Sequence, residues 1–211
     1  MTAKIKLNAA SGGGSISIQA PSSSSNNRII SLPDIADGTL LTSQSSLDST
    51  KLSPAISGGK FSSYAIIADQ KATDTNGGST STGTFNVRDL NTELVDDDNI
   101  VSISSNQFTL QAGTYLIRAS APAYKAARHQ IILWNATDSS LAQVGTSEFS
   151  EVSSNICTRS FVQGRATIGA AKAFEIRHRV GNAVTTFGFG VASNYDLLAS
   201  IYTIVEIYKE S

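Results

Sequence analysis

Two runs of alternating apolar and polar residues meet at a small turn, Ala112-Gly113, near the middle of the chain. Residues of one face are Phe108 and Leu110 in the first run, then Tyr115, Ile117, Ala119 and Ala121 in the second. A period of two on both sides of a glycine-centred turn is typical of antiparallel strands that bury one face. The centre of the chain therefore predicts a β-hairpin within a larger sheet.

Similar alternating segments recur from Phe61 onward, with turn-forming residues between them. Many short strands at regular spacing predict an all-β fold built as an antiparallel β-sandwich. The predicted strands are Tyr64–Asp69, Thr84–Asn86, Val101–Ser104, Gln107–Gln111, Gly113–Ala121, His129–Asn135, Ala142–Ser150, Thr158–Ile168, Lys172–Val180, Thr186–Ser193 and Ser200–Lys209. No segment shows a convincing helical period of 3.6 residues.

The last predicted strand is apolar on both faces. One face carries Ile201, Thr203, Val205 and Ile207, and the other carries Tyr202, Ile204, Glu206 and Tyr208. A strand of this kind lies either in the middle of a sandwich or against another subunit. We therefore expect part of its surface to be buried by a second copy of the chain.

The first part of the chain differs from the rest in composition. Short alternating pieces, Lys4–Leu7, Ser15–Ile18 and Arg28–Leu32, are separated by runs of glycine and serine. They are too short to enclose a core, and such strands usually pair with another chain. We predict an attachment segment over residues 1–45, a linker over 46–60 and a head over 61–211; the alternative for the first segment is an unstructured tail.

The overall composition excludes several classes of protein. The net charge of −1 gives no basic footprint for nucleic acid. No apolar run approaches the roughly 20 residues that span a bilayer, so no membrane insertion is expected. The single cysteine, Cys157, excludes an intrachain disulfide and a cysteine-based zinc site. A cysteine beside Thr158 at the start of a strand is expected to be a buried apolar filler.

The two histidines lack the neighbours of a catalytic or metal site. His178 alternates with apolar residues, which favours a hydrogen-bonded histidine in the core or an interface. His129 follows Arg128 and could join it in a basic cluster. Neither histidine is accompanied by a paired carboxylate or cysteine motif of the kind that binds metals. The sequence predicts no catalytic, cofactor-binding or metal-binding residue.

Acidic residues offer two weaker candidates. Asp96-Asp97-Asp98 with Asn99 could supply oxygen ligands to calcium, but the spacing lacks the order of an EF-hand and favours a solvated loop tip. Glu148 and Glu151 could lie near each other as in a glycosidase, but nothing marks them as a pair. We therefore expect no enzymatic activity.

Other polar groups are expected to be structural. Arg177 and Arg179 share the outer face of a strand with Glu175, where charges keep an edge solvated or form an ion pair between subunits. Asn135-Ala136-Thr137 matches a glycosylation sequon and predicts an exposed turn.

The order Phe108, Gly113, Tyr115 resembles the central motif of the jelly-roll heads of complement and tumour-necrosis-factor-like trimers. The span 84–209 also resembles a β-sandwich module in structural proteins of marine tailed phages (cyanophages), and residues 4–42 are similar to the leading segment of their virion proteins. The residues that carry this likeness are Phe85–Thr92, Ser104–Tyr115, Ser120–Tyr124, Glu175–Arg179, Gly188–Val191 and Thr203–Ile207.

This resemblance implies a homotrimeric phage tail fibre or appendage with a jelly-roll β-sandwich head. The head would contact a host cell-surface glycan or protein through loops such as Thr73–Gly83 and Glu151–Cys157. The N-terminal segment would bind other virion proteins, and no cofactor is implied. The protein is expected in the virion, after synthesis in the host cytoplasm and release by lysis. The alternative is a passive capsid-decoration or connector protein; tail or capsid location and the receptor stay open.

Overall fold

The structure is a computed structural model that describes residues 4–8, 10–19 and 59–210. The chain divides into two compact units, residues 1–47 and 48–211. The predicted strand Arg28–Leu32 lies outside the described residues, as does the predicted linker apart from Gly59 and Lys60.

The first unit contains a two-stranded antiparallel hairpin. Strand β1 (Lys4–Asn8) pairs with β2 (Ser15–Gln19), with Ile5 opposite Ile18 and Leu7 opposite Ile16. Gly12 and Gly13 in the connection have φ angles of 84° and 70°, a conformation that favours glycine. Ile5 and Leu7 are 63% and 58% exposed. The hairpin therefore presents apolar side chains that its own two strands do not bury.

Residues 59–210 of the second unit form twelve strands. They are β3 (Phe61–Lys71), β4 (Asn86–Val87), β5 (Thr92–Val95), β6 (Val101–Ser104), β7 (Gln107–Leu110), β8 (Gly113–Tyr124), β9 (Ala127–Asn135), β10 (Ser140–Val144), β11 (Glu148–Ser150), β12 (Cys157–Ile168), β13 (Lys172–Val180) and β14 (Ser200–Glu210). The described residues contain no helix, and so none that could cross a membrane.

These strands form two antiparallel sheets. The five-stranded sheet has the order β12-β8-β14-β3-β5. The seven-stranded sheet has the order β10-β9-β13-β7-β6, with β11 paired to β9 and β4 paired to β13. The chain crosses repeatedly between the two sheets, which confirms the prediction of an all-β jelly-roll sandwich.

The core lies between the inner faces of the two sheets. The alternation around Gly113 is confirmed, since Phe108, Leu110, Tyr115 and Ile117 are all buried. Other buried members are Ala65, Ile67, Leu90, Ile131, Leu133, Val162, Phe174, Ile176, Val205 and Ile207. The alternating pattern of the sequence therefore identifies the buried face correctly in most strands.

Two predicted strands and one unpredicted strand differ clearly from the prediction. Residues 186–193 contain no strand: residues 186–189 form turns and 190–193 are irregular, and Thr186 and Gly190 have φ angles of 67° and 132°. The predicted strand Ala142–Ser150 is split into β10 and β11 at Gly145, where a Cβ atom would lie 2.6 Å from the carbonyl oxygens of Ile131 and Phe161. Strand β5 was not predicted, because its exposed Glu93 and Leu94 do not show the expected alternation.

The two faces of β14 also differ in part from the prediction. Thr203, Val205 and Ile207 are buried as expected, but Ile201 is exposed, because the register with β3 shifts between Ile201 and Ile204. Tyr202 on the other face is buried, and its hydroxyl donates to the carbonyl oxygen of Thr75 at 2.7 Å.

Candidate assembly surface and buried polar cluster

The outer face of the five-stranded sheet is a regular array of side chains from four strands. Directly paired residues in an antiparallel sheet project to the same face, so the register defines rows across β12, β8, β14 and β3. The rows are Arg165–Leu116–Tyr208–Tyr64, Gln163–Arg118–Glu206–Ile66 and Phe161–Ser120–Ile204–Ala68. We call these twelve residues the assembly surface.

Seven of the twelve residues of the assembly surface are apolar or aromatic, and all of these except the buried Ala68 are partly or largely exposed. Phe161 and Tyr64 are 53% and 49% exposed, and Leu116, Ile204 and Tyr208 are half-buried. The central charges compensate each other, because Arg118 Nη1 lies 3.2 Å from Glu206 Oε2. The predicted second apolar face of the last strand is therefore present at Ile204 and Tyr208.

One end of the assembly surface carries aromatic rings and an ionic cluster. The ring of Tyr208 lies 5.4 Å from that of Phe61 and 6.5 Å from that of Tyr64. Arg165 binds Glu210 through two hydrogen bonds of 2.8 Å. These hydrogen bonds, with a further one from Lys60, lower the pKa of Glu210 to about 2. The carboxylate therefore stays ionised through the physiological range.

A guanidinium is completely buried inside the sandwich. Arg88 donates from Nε to Thr203 Oγ1 at 2.8 Å, and from Nη1 and Nη2 to the carbonyl oxygens of Pro122 and Phe189 at 3.2 Å. Its Cζ lies 3.9 Å from the centre of the Phe189 ring, a cation–π contact. Burial lowers the pKa of Arg88 to about 9, so the side chain is still a cation at neutral pH.

The two histidines meet beside this cation. His129 Nδ1 and His178 Nε2 are 3.0 Å apart, and His129 Nε2 lies 2.8 Å from the Thr158 hydroxyl. Burial, followed by the positive charges of Arg88 and His129, lowers the pKa of His178 well below its ordinary value. Burial also lowers the pKa of His129, which Arg88 lowers further and Glu148 opposes. Both rings are therefore neutral at pH 7, and one of them donates an N–H to the other.

The prediction for His178 is confirmed, whereas that for His129 is wrong. His178 is a buried core histidine, but His129 is also buried and does not join Arg128 in a surface cluster, because it lies on the inner face of β9. The two histidines are 49 positions apart in the sequence, so their hydrogen bond could not be predicted from it. Arg88 was not singled out for chemistry, although its place between Val87 and Leu90 is unusual for a charged residue.

The other residues considered from the sequence have structural surroundings. Asp96 accepts hydrogen bonds from the backbone amides of Ile100 and Val101, while Asp97 and Asp98 are exposed. No group of three potential metal-binding side chains occurs among the described residues. The loop tip is therefore solvated, and Asp96 stabilises its turn.

The prediction that Cys157 is buried is wrong, whereas the exposed turn predicted at the sequon is present, since Thr137 and the two residues after it are exposed. Cys157 is exposed, because it begins the edge strand β12. Asn135 is buried at the end of β9, where its side chain binds Asp138 in a tight turn. The sequon therefore does not present its asparagine to solvent.

The remaining charged pairs have separate partners. Arg177 Nη2 lies 3.0 Å from Glu175 Oε1 in the same strand, which forms the ion pair within one chain. Glu148 accepts a hydrogen bond from Thr146, whereas Glu151 binds Ser153 in the following turn. The two glutamates considered for glycoside hydrolysis are thus held by different loops.

Comparisons with known proteins give distant structural likenesses. No protein-family model matches the sequence, and no curated protein matches it. Among solved structures, the chain is similar to murine APRIL at pH 5.0, with 7% identity and a TM-score of 0.46 over 70% of this chain and 98% of that one. It is also similar to the globular domain of the zebrafish complement 1qA protein, with 12% identity and a TM-score of 0.41 over 69% of this chain and 95% of that one.

Proposed function

We propose that the protein is a non-enzymatic, homotrimeric structural protein of a phage virion. In this proposal the jelly-roll head assembles through the outer face of the five-stranded sheet and contacts the host surface. The N-terminal unit attaches the protein to the particle. The observation that carries the proposal is the assembly surface, a sheet face with exposed aromatic and apolar side chains that residues 59–210 leave uncovered.

A second copy of the chain suits this surface better than a charged partner does. Its apolar rows would lose water on association, which favours burial. Its central charges, Arg118 and Glu206, already neutralise each other, so association would bury no unpaired charge in the middle of the contact. The number of copies, three, follows from the likeness of Phe108, Gly113 and Tyr115 to the motif of trimeric heads.

Two further features, one in each unit, support contacts with other molecules. The exposed apolar residues Ile5 and Leu7 give the N-terminal hairpin a surface that a virion partner could cover. In the head, the loop before β14 exposes Tyr195, Leu197 and Leu198 by 68%, 97% and 56%. Apolar side chains this exposed favour a contacting tip over the passive connector that is the alternative.

The assembly claim is tested by light scattering on the full-length protein. A trimer has three times the chain mass of 22.1 kDa, about 66 kDa. Leu116→Glu combined with Ile204→Glu would bury like charges in the interface, and should yield a folded protein of one-chain mass. The control is Leu141→Glu, which places the same charge on β10 in the other sheet, where Leu141 is 51% exposed. A wild-type monomer at micromolar concentration would contradict the proposal.

The attachment claim needs a separate experiment. Deletion of residues 1–45 should leave the mass of the head assembly at three copies but abolish its incorporation into virus particles. Incorporation of the truncated protein at the wild-type level would overturn the attachment role. It would leave the assembly surface untouched, since the two claims depend on different units of the chain.

A further inference from the structure

The outer face of the seven-stranded sheet contains a cleft of about 400 Å³. Its side chains include Arg128, Gln130, Ser147, Glu148 and Arg179. The register between β9 and β13 pairs Arg179 with Gln130, so these two side chains lie on the same face of the sheet as the exposed Arg128. Glu148 of β11 is paired with the inward-facing His129, and both residues line the cleft. Two neighbouring strands thus bring two arginines to one concave surface.

The two arginines of the cleft differ from the other arginines of residues 59–210. Arg88, Arg118, Arg159, Arg165 and Arg177 all make side-chain hydrogen bonds or ion pairs within the chain. In that described part of the chain, Arg128 and Arg179 make neither, and both are exposed. Their guanidinium donors therefore face solvent within a cleft, where a bound anion could receive them.

The cleft also provides polar groups, and two aromatic side chains lie beside its arginines. Gln130 offers its amide oxygen, since its amide nitrogen donates to the carbonyl oxygen of Gly145 at 2.8 Å. Ser147 offers a hydroxyl, and Glu148 offers a carboxylate that could accept a hydrogen bond from a ligand hydroxyl. Phe149 lies opposite Arg128 in the β11–β9 register and is 54% exposed. The ring of Phe85 lies 5.5 Å from the guanidinium carbon of Arg179. A small number of polar groups beside an apolar surface is typical of sites that bind small ligands.

We propose that this cleft binds an acidic saccharide, whose carboxylate or sulfate group pairs with Arg128 and Arg179. The planar guanidinium matches the two oxygens of such an anion, while sugar hydroxyls suit Glu148, Gln130 and Ser147. The apolar face of a sugar ring can pack on Phe149. With two cations and one anion lining it, the cleft has a net charge of +1, which one acidic group neutralises.

The chemistry favours a saccharide over other anions. Nucleic acid is held by extended basic surfaces, whereas this chain has a net charge of −1 and a local pair of arginines. An anionic membrane recruits clusters of several basic residues, and here Glu148 would face the lipid. This inference names a ligand class for the proposed contact with the host surface, and it rests on that proposed function.

Calorimetric titration of the full-length protein tests the inference. The probes are an oligogalacturonate, its uncharged methyl ester and a sulfated cello-oligosaccharide. We expect at least one acidic probe to bind, and the neutral ester to bind at least about tenfold more weakly, the effect of losing one charge-assisted contact. Arg128→Gln with Arg179→Gln should lower the affinity for the acidic probe by at least about tenfold.

The matched control is Lys172→Gln, which removes a positive charge from the same strand as Arg179 but outside the cleft. It should leave the affinity unchanged. The inference is overturned if neither acidic probe binds, if the ester binds equally well, or if the double variant binds as the wild type does. Tighter arginine-dependent binding of a DNA oligonucleotide or of phosphatidylserine vesicles would also overturn it.

Light scattering on the same variants separates this inference from the assembly proposal. If the double arginine variant loses saccharide binding but keeps the mass of a trimer, the loss of binding arises in the cleft and not from disassembly. A monomeric wild type that still binds the acidic probe would contradict the assembly proposal alone.

Discussion

The interior of the sandwich has two ends with different chemistry. At one end Phe108 and Phe174 stack with ring centres 5.7 Å apart, and Tyr115, Ile117 and Ile207 complete an apolar core. At the other end the buried side chains are Arg88, His129, His178 and Thr203. Strand β13 passes through both regions, from Phe174 to His178.

Side-chain size on β8 accounts for much of this difference. Its inward residues begin with the large Tyr115 and Ile117 and continue as Ala119, Ala121 and Ala123. Small side chains leave volume between the sheets, and Arg88 reaches the carbonyl oxygen of Pro122 in this part of β8. The same alternating pattern of strand residues therefore supports an apolar end stabilised by dispersion and a polar end stabilised by hydrogen bonds. Of the two ends, only the polar one should make the free energy of unfolding depend on pH.

The largest effect is expected at the apolar end. Phe174→Ala removes a fully buried ring and leaves a cavity against Phe108, so the free energy of unfolding should fall by about 4 kcal/mol. Urea denaturation at a fixed protein concentration measures this change. Phe149→Ala is the control, because that ring is largely exposed and its loss should cost much less. Equal losses in the two variants would show that the apolar end does not dominate stability.

The next effect is expected at the polar end. Arg88→Ala leaves Thr203 and the carbonyl oxygens of Pro122 and Phe189 without their donor, but it also removes a desolvated charge. We expect a net loss of about 3 kcal/mol in urea denaturation. Arg88→Lys keeps the charge but cannot reproduce the three-way fork, so it should recover only part of the loss. Full recovery by lysine would show that charge alone matters at this position.

The fold could largely be predicted from the sequence because burial follows strand alternation. Strands β6 and β13 match the predicted bounds, since their apolar residues alternate and turns delimit them. The prediction was wrong at residues 186–193, which show a similar alternation but make long-range backbone hydrogen bonds to Gly77, Gly78 and Tyr124. Alternation reports which side chains are buried, and it does not report backbone hydrogen bonds to distant loops.

The sites could be predicted only in part. The apolar outer face of β14 was visible at Ile204 and Tyr208, because both faces of one strand can be read along the sequence. The His129–His178 contact and the cleft of Arg128 and Arg179 depend on the β9–β13 register, which brings distant segments together. A single sequence carries no record of that pairing, so these sites required the structure.

A smaller effect is the response of the polar end to acid. Both histidines have a pKa below the ordinary value in the folded protein, so below about pH 6.5 the unfolded chain binds more protons than the folded one. Stability should therefore be constant above this pH and fall below it, with a slope of at most about 1.4 kcal/mol per pH unit for each histidine. Arg88 increases this sensitivity at both rings, while Glu148 reduces it at His129.

Urea denaturation between pH 7.5 and 5 measures this slope. The double variant His129→Gln, His178→Leu removes both titrating rings and should flatten the profile over this range. Phe174→Ala serves as the contrast, because it should lower stability equally at every pH and leave the slope unchanged. A double variant with the wild-type slope would assign the acid sensitivity to carboxylates outside the polar end.

The smallest effect is expected from a charge pair that belongs to neither end of the core. Glu210 binds Arg165 and Lys60 on the outer side of the five-stranded sheet, and these hydrogen bonds lower its pKa to about 2. A carboxyl group whose pKa is lowered stabilises the fold above its ordinary pKa and loses that effect as the pH falls toward the folded value. Glu210→Gln should therefore lower the melting temperature slightly at pH 7, and less in high salt, because exposed ion pairs are screened. At pH 2 the difference from the wild type should largely disappear. A salt-independent loss as large as that of Arg88→Ala would show that the ion pair of Glu210 with Arg165, a residue of the assembly surface, is enclosed and not exposed.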